Sequence, residues 1–323
     1  VTAAIQTSGL RKHYGAAEAV AGLDLTVPTG TVFGFLGPNG AGKSTTIGML
    51  CTLLRPTGGT AEVAGHDVVR EPDAVRRRIG LIFQESTVDV DLTAAENLRF
   101  QAELFGMPRR VARAAITGAL ALVELTDRAD EEVRTFSGGM RRRLEIARGL
   151  LHTPRVLFLD EPTTGLDPQT RVAIWAHLHR LRAERDITVF LTTHHLEEAE
   201  HCDRLAILDS GRLVVTGTPA ELKATIGADL VVVRTGDDHE TVRILRDRFG
   251  LTATAEPDGV HLRVTDGAGF VPRLCAEVGL PVRSVAVTPP TLDDVFLHYT
   301  GRTIRESAEN PADLTAAVRR GGR

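Results

Sequence analysis

Gly37, Pro38, Asn39, Gly40, Ala41, Gly42, Lys43 and Ser44 run consecutively, followed by Thr45, and complete the spacing G-x-x-x-x-G-K-S. Such a run suits phosphate. Glycines let main-chain N–H groups turn inward around anionic oxygens, and a helix that begins there points its positive end at the same anion. Lys43 is then placed to reach the β- and γ-phosphates of a nucleotide, and the Ser44 hydroxyl to ligate Mg²⁺. A second chemistry-bearing run is Val156–Asp160, four apolar residues ending in a carboxylate, with Glu161 and Pro162 behind it. An apolar strand that delivers Asp160 at its C-terminal end suits a residue holding Mg²⁺ through water. Glu161, which Pro162 should restrict to extended geometry, can orient and polarise the water that attacks a γ-phosphate. The third run is Phe136-Ser137-Gly138-Gly139-Met140. Ser137 can cap a helix, and its hydroxyl with the glycine amides makes a second anion site. Arg141, Arg142 and Arg143 follow in the first turn, where positive charge opposes the helix dipole, so they imply a nearby anion or acidic partner unless they form a solvated face.

Elements must hold these runs in place, and the hydrophobic pattern supplies them. Ala19–Val27 alternates as a strand before a Pro28-Thr29-Gly30 turn, and Val32–Leu36 is a short apolar strand feeding the phosphate loop. A helix is expected over Lys43–Leu54, a strand over Arg76–Phe83, mostly helix from Thr93 to Leu125, and a helix from Gly138 through Leu151. Strands at Val156–Leu159 and Thr188–Thr192 flank a helix at Gln169–Glu184, which predicts a mainly parallel α/β sheet covered by helices. The expected first domain spans 1–222, with a helical subdomain at about 86–150. A βαββαβ pattern over 228–300 predicts a small ferredoxin-like domain closed by a helix at Thr291–Tyr299, and the arginine-rich remainder 301–323 is expected to be a flexible tail.

Composition narrows the function. The chain has 323 residues, 42% hydrophobic, and a formal net charge of −4, which gives no support to wholesale nucleic-acid binding. Cys51, Cys202 and Cys275 stand apart without metal-ligand spacing and read as reduced thiols. No apolar run approaches the ~18 residues that a membrane span needs, and no signal-peptide pattern opens the chain, so a cytosolic protein is expected whose membrane role comes through a partner.

The ordered set of Gly37–Thr45, Ser137-Gly138-Gly139, Val156–Glu161 and Gly165-Leu166-Asp167 resembles an ABC ATPase, over residues 1 to about 222. That resemblance implies a P-loop ATPase with a mixed sheet and helical subdomain, using ATP and Mg²⁺. It implies a homodimer in which Ser137, Gly138, Gly139 and Asp167 of one copy meet the ATP held by the other. It places Tyr14 against the adenine and Gln84, in Leu81-Ile82-Phe83-Gln84, near Mg²⁺ and a membrane partner. It puts His194 at the γ-phosphate, ahead of His195, since neighbours on a strand face opposite ways. The finer resemblance, carried by Ser137-Gly138-Gly139-Met140-Arg141-Arg142-Arg143-Leu144, Thr192-Thr193-His194 and Thr291–Leu297, is to the ATPases of daunorubicin-resistance type exporters. It implies an ATP hydrolase that drives export of antibiotics or other hydrophobic compounds through a separate permease at the cytoplasmic face of the membrane. The competing class is a soluble ABC ATPase acting on DNA or ribosomes. Its DNA-repair members carry a long coiled-coil or zinc insertion and its ribosomal members two fused ATPase domains, and neither feature is present. An ordinary P-loop kinase would leave Ser137–Met140 and Gly165–Asp167 idle.

Overall fold

The computed structural model describes residues 3–185 and 187–301. They fall into two compact units, the chain passing from the first to the second at residue 219. In the first unit the strands are β1 (Ala3–Tyr14), β2 (Ala17–Pro28), β3 (Val32–Leu36), β4 (Gly58–Val63), β5 (His66–Asp67), β6 (Ile79–Ile82), β7 (Val156–Asp160), β8 (Thr188–Thr193), β9 (Arg204–Asp209) and β10 (Arg212–Gly217). The helices are α1 (Lys43–Leu50), α2 (Pro72–Arg76), α3 (Ala94–Leu104), α4 (Arg109–Leu122), α5 (Gly138–Leu150), α6 (Pro168–Arg185) and α7 (Leu196–Ala199).

The strands form two sheets. One has the order β10-β9-β3-β8-β7-β6 and is parallel except for β10, which pairs antiparallel with β9. The other, β2-β1-β4-β5, is antiparallel. The expectation of a mainly parallel sheet therefore holds for the six-stranded sheet alone. Parallel strands covered on both faces need continuous apolar sequence, and every residue of β3 and β8 is buried. Phe190 of β8 sits at the middle, with ring centroids 5.7, 5.3 and 5.5 Å from Phe33, Phe35 and Phe158.

Two expected elements are shorter than their apolar patterns. α1 stops at Leu50, because Thr52 enters the left-handed region and the amides of Leu53 and Leu54 both donate to Gly48 O. The strand expected over Arg76–Phe83 begins only at Ile79, since Pro72 starts a short helix that runs through Arg76. Between β6 and β7 all the regular structure is helical. α3 starts with a reciprocal cap between Thr93 and Glu96, and α5 is capped by Ser137, whose hydroxyl accepts from Met140 N at 3.2 Å. α5 lies directly on β6: a Cβ on Gly80 would stand 2.3 Å from Gly149 O, so only glycine allows that approach.

The second unit opens with α8 (Pro219–Ile226) and continues β11 (Asp229–Arg234), α9 (Asp238–Phe249), β12 (Ala253–Glu256), β13 (Gly259–Val264), α10 (Gly267–Glu277), β14 (Ser284–Thr288) and α11 (Leu292–Thr300). Its antiparallel sheet has the order β12-β13-β11-β14, the ferredoxin-like arrangement. Val231, Val233, Leu245, Val260, Leu262 and Leu274 form its core. Asp237, Asp266 and Thr291 cap the helices that follow them. Apart from Gly301, the expected tail lies outside the described residues. Among the described residues no helix is long and apolar enough to cross a membrane.

Candidate nucleotide site

The parallel strands β3, β6, β7 and β8 all deliver their carboxyl ends to one edge of the sheet, the side where open α/β sheets bind ligands. Leu36 leads into Gly37–Gly42, Ile82 into Gln84, Leu159 into Asp160 and Glu161, and Thr193 into His194.

The glycine-rich loop is fixed from beneath and from the side. Gly37 N donates to Thr193 O at 3.2 Å, tying the loop to β8. Ala41 O accepts from Gly211 N at 3.0 Å, and Gly211 O accepts from Ala21 N at 2.8 Å, tying it to β2 and to the β9–β10 turn. Gly42 has φ 100°, and a Cβ there would lie 2.5 Å from Ala19 O. A lone glycine lets the chain pass that carbonyl and enter α1 with its first amides free for an anion.

Lys43 is 5% exposed. Its ammonium donates to Gly37 O at 2.7 Å and Pro38 O at 3.1 Å and lies 3.6 Å from Glu161 Oε1. Burial pulls its pKa down, while the charges of Glu161 and Asp160 oppose that pull. Glu161 Oε1 also accepts from His194 Nδ1 at 2.9 Å, and Oε2 accepts from the Thr164 hydroxyl at 3.3 Å. Burial alone would raise the Glu161 carboxyl, but His194, Lys43 and Thr164 together hold it below the ordinary glutamate range. Lys43, Glu161 and His194 are thus one connected group, drawn from three separate segments. Ser44 Oγ stands 3.4 Å from Asp160 Oδ1, and the Thr192 hydroxyl donates to the same carboxylate oxygen.

Two expectations change here. Glu161 is not extended but left-handed, with φ 47°. Its amide donates to both the carbonyl and the hydroxyl of Thr192, and those anchors override the local preference set by Pro162. A non-glycine residue held there costs on the order of 1–3 kcal/mol. Second, His194 and His195 do not point to opposite faces, because β8 ends at Thr193; their rings lie 4.0 Å apart. His194 nevertheless makes the contact with Glu161. Burial lowers the pKa of His195, and the charges of His194 and Arg171 lower it further.

Tyr14, Gln84, Ser137, Gly138, Gly139 and Asp167 make no hydrogen bond to this group among the described residues. Tyr14 ends β1, 41% exposed, with Lys12 Nζ 5.1 Å from its ring centroid. Gln84 is exposed after β6 and makes no hydrogen bond among the described residues. Ser137 caps α5, followed by Gly138 and a buried Gly139. Asp167 accepts from Thr170 N at 2.9 Å and Thr170 Oγ1 at 2.6 Å, bonds that keep its carboxyl below the usual aspartate range. Pro38, Asn39, Gly40 and Thr45 complete the loop and the start of α1.

Residues to which the sequence alone assigns no role also shape the site. Thr192 fixes Asp160 and Glu161 together. Glu198 of α7 accepts from the buried Thr163 hydroxyl, its other oxygen has no partner among the described residues, and burial raises its pKa. The one advance signal for Thr192 was its place in the Thr192-Thr193-His194 segment. Nothing local marked Glu198, one of three glutamates in Leu196–Glu200.

A phosphate loop at the carboxyl edge of a parallel sheet, a lysine–glutamate–histidine group and a serine-capped Gly-Gly helix define an ATP-hydrolysing class of P-loop protein. The chain belongs to the ABC transporter ATP-binding family. The profile described as ABC transporter matches residues 20–164, and that of the ATP-binding protein DrrA1-3-like, C-terminal domain, matches 217–300. The chain is 46% identical over 322 residues to the daunorubicin/doxorubicin resistance ATP-binding protein DrrA of Streptomyces peucetius, covering 95% of this chain and 97% of that one. It is 40% identical over 310 residues to a Nod factor export ATP-binding protein I of Ralstonia nicotianae, covering 94% and 96%. Among solved structures, cbiO1 of Clostridium perfringens, part of an ABC transporter complex, matches with TM-score 0.65 at 26% identity, covering 77% of this chain and 97% of that one. A cassette seen as a post-hydrolysis dimer with ADP and Pi matches with TM-score 0.60 at 27% identity, covering 66% and 98%. The protein is an ABC-type ATPase.

Proposed function

We propose that this chain is the motor of an exporter for antibiotics or other hydrophobic compounds, working as an ATP-closed homodimer beneath a separate permease at the cytoplasmic face of the membrane. The observation that carries the reading is the Lys43–Glu161–His194 group at the mouth of the phosphate loop, its lysine and glutamate buried and its histidine half-buried, in a chain related over nearly its whole length to drug-resistance and Nod factor export ATPases. In this reading residues 1–222 are the ATPase domain and 228–300 a separate accessory domain.

ATP supplies the γ-phosphoryl group, and magnesium neutralises charge on it. The Ser44 hydroxyl and Asp160 carboxylate, 3.4 Å apart, are the hard oxygen donors magnesium prefers and would hold it, Asp160 by way of a water, with Gln84 as a further oxygen donor. The amides of Gly37–Thr45 and Lys43 hold the phosphates, and Tyr14 stacks on the adenine. Glu161 orients and polarises the attacking water and takes its proton as the water oxygen bonds to the γ-phosphorus and the bond to the departing ADP oxygen breaks, and His194, hydrogen-bonded to Glu161, orients that carboxylate. Ser137, Gly138, Gly139 and Asp167 serve the nucleotide held by the second copy.

The test is affinity capture of tagged Glu161→Gln from native membranes in Mg-ATP. Recovery of a polytopic membrane protein supports the reading and supplies the subunit with which cargo can be assayed. Recovery of ribosomes, DNA or soluble protein alone would transfer the assignment to a soluble ABC ATPase.

A further inference from the structure

Arg142 belongs to the arginine run that follows the Gly138-Gly139 pair, yet it is turned into the protein and not solvated. It is 6% exposed, and each of its nitrogens is bonded within the protein. Nε donates to Pro162 O at 2.7 Å and Nη2 to Asp160 O at 3.4 Å, the carbonyls on either side of Glu161. Nη1 donates to Phe83 O at 2.6 Å, the carbonyl before Gln84, and to Glu145 Oε2 at 2.8 Å. The next turns of α5 continue the pattern. Glu145 Oε1 accepts from Thr87 N at 2.9 Å, and Arg148 donates to Thr87 O at 2.6 Å and to the Thr87 hydroxyl. One face of the helix capped by Ser137 thereby grips the Gln84 loop on both flanks and the Glu161 peptide on both sides.

We propose that Arg142 is a positioning residue that makes the placement of Ser137 and the alignment of Glu161 a single rigid event. When the α5 start docks on the nucleotide of a second copy, the same helix carries Glu161 and the Gln84 loop into register with the nucleotide of its own copy. A buried ion pair alone adds little net stability, since apolar residues of similar volume commonly do as well. What only the guanidinium fork supplies is simultaneous reach to three carbonyls on two segments, Phe83 on one and Asp160 and Pro162 on the other, which a lysine's single ammonium lacks. The inference rests on the assignment of Glu161 as the water-polarising group, and Glu161→Gln is the control for that assignment.

The double variant Arg142→Met, Glu145→Met replaces the pair by apolar volume and leaves neither partner stranded. Its melting temperature, affinity for a fluorescent ATP analogue, and kcat and KM for ATP are measured beside Arg142→Lys. The expected result is a wild-type melting temperature and analogue affinity, with kcat lower by about 10²-fold, the cost of misplacing a catalytic group by an ångström, and KM little moved. Arg142→Lys is expected to show the same loss despite its retained charge. A folded double variant, or a folded Arg142→Lys should the double variant fail to fold, that turns over at the wild-type rate overturns the proposal. If Glu161→Gln itself hydrolyses normally, the assignment of Glu161 fails instead.

Discussion

Gly42→Ala tests whether the phosphate loop is shaped by the carbonyl it passes. Two costs separate in the structure. A left-handed alanine costs about 1–2 kcal/mol wherever it occurs. At Gly42 the new methyl would also stand 2.5 Å from Ala19 O, a main-chain atom that cannot rotate away, and such overpacking adds about 1–3 kcal/mol. Gly65 is the internal control. Its φ is 79°, and a Cβ there meets nothing within 4 Å, so Gly65→Ala carries the first cost only. For a domain of this size each kcal/mol shifts the melting temperature by about 2–4 °C. The expected fall is therefore about 4–20 °C for Gly42→Ala and about 2–8 °C for Gly65→Ala. Scanning fluorimetry of both variants without nucleotide reads the difference, and titration with ATP should show weakened binding for Gly42→Ala alone. Equal melting temperatures for the two variants, with unchanged ATP binding, would refute the argument that Ala19 O sets the loop.

Three further outcomes are expected. Glu161→Gln should bind ATP and accumulate as an ATP-dependent dimer while hydrolysis falls by about 10²–10⁴-fold; a species that stays monomeric in light scattering with ATP present would contradict this. Lys43→Met removes the buried ammonium that bridges Gly37 O, Pro38 O and Glu161, and should lose nucleotide affinity, so undiminished binding of a fluorescent ATP analogue would sink the phosphate-loop assignment. Glu198 titrates above an ordinary glutamate because burial disfavours its charged form, so the wild type loses stability as pH rises from the unfolded glutamate range through the higher folded value. Glu198→Gln, still able to accept from Thr163, should melt higher than wild type at neutral pH, with the gap closing on acidification; a gap that widens as pH falls would show the sign to be wrong.

The parts of the site that a sequence can display are those whose function depends on local spacing. The loop from Gly37 to Ser44, the strand ending in Asp160 and the cap at Ser137 are each complete within a few residues, and their elements follow from apolar runs and turn residues. The ferredoxin-like unit was legible for the same reason, because its βαββαβ order follows from short local runs, while its caps at Asp237 and Asp266 went unread. Arg142 shows where this ends. Its neighbours Arg141 and Arg143 reach Phe136 O and Val123 O, whereas Arg142 turns inward to carbonyls 18, 20 and 59 residues away. Three identical side chains in a row carry no mark of which one is interior; that choice is made by the close contact of Gly80 with Gly149, which sets the rotation of α5 on β6. The left-handed Glu161 was hidden likewise, since its anchors on Thr192 lie on another strand.

The face of α5 that holds Arg142, Glu145 and Arg148 also determines where this chain can change length. Each residue inserted between Ser137 and Arg142 would turn the rest of the helix by about 100°, carrying all three side chains off the loops they grip. A residue added at the exposed turn around Gly106, where a Cβ meets nothing within 4 Å, alters no such phase. The connection between α3 and α4 can therefore lengthen without turning α5, whose count from its cap to its last gripping arginine has to stay fixed for the grip to survive.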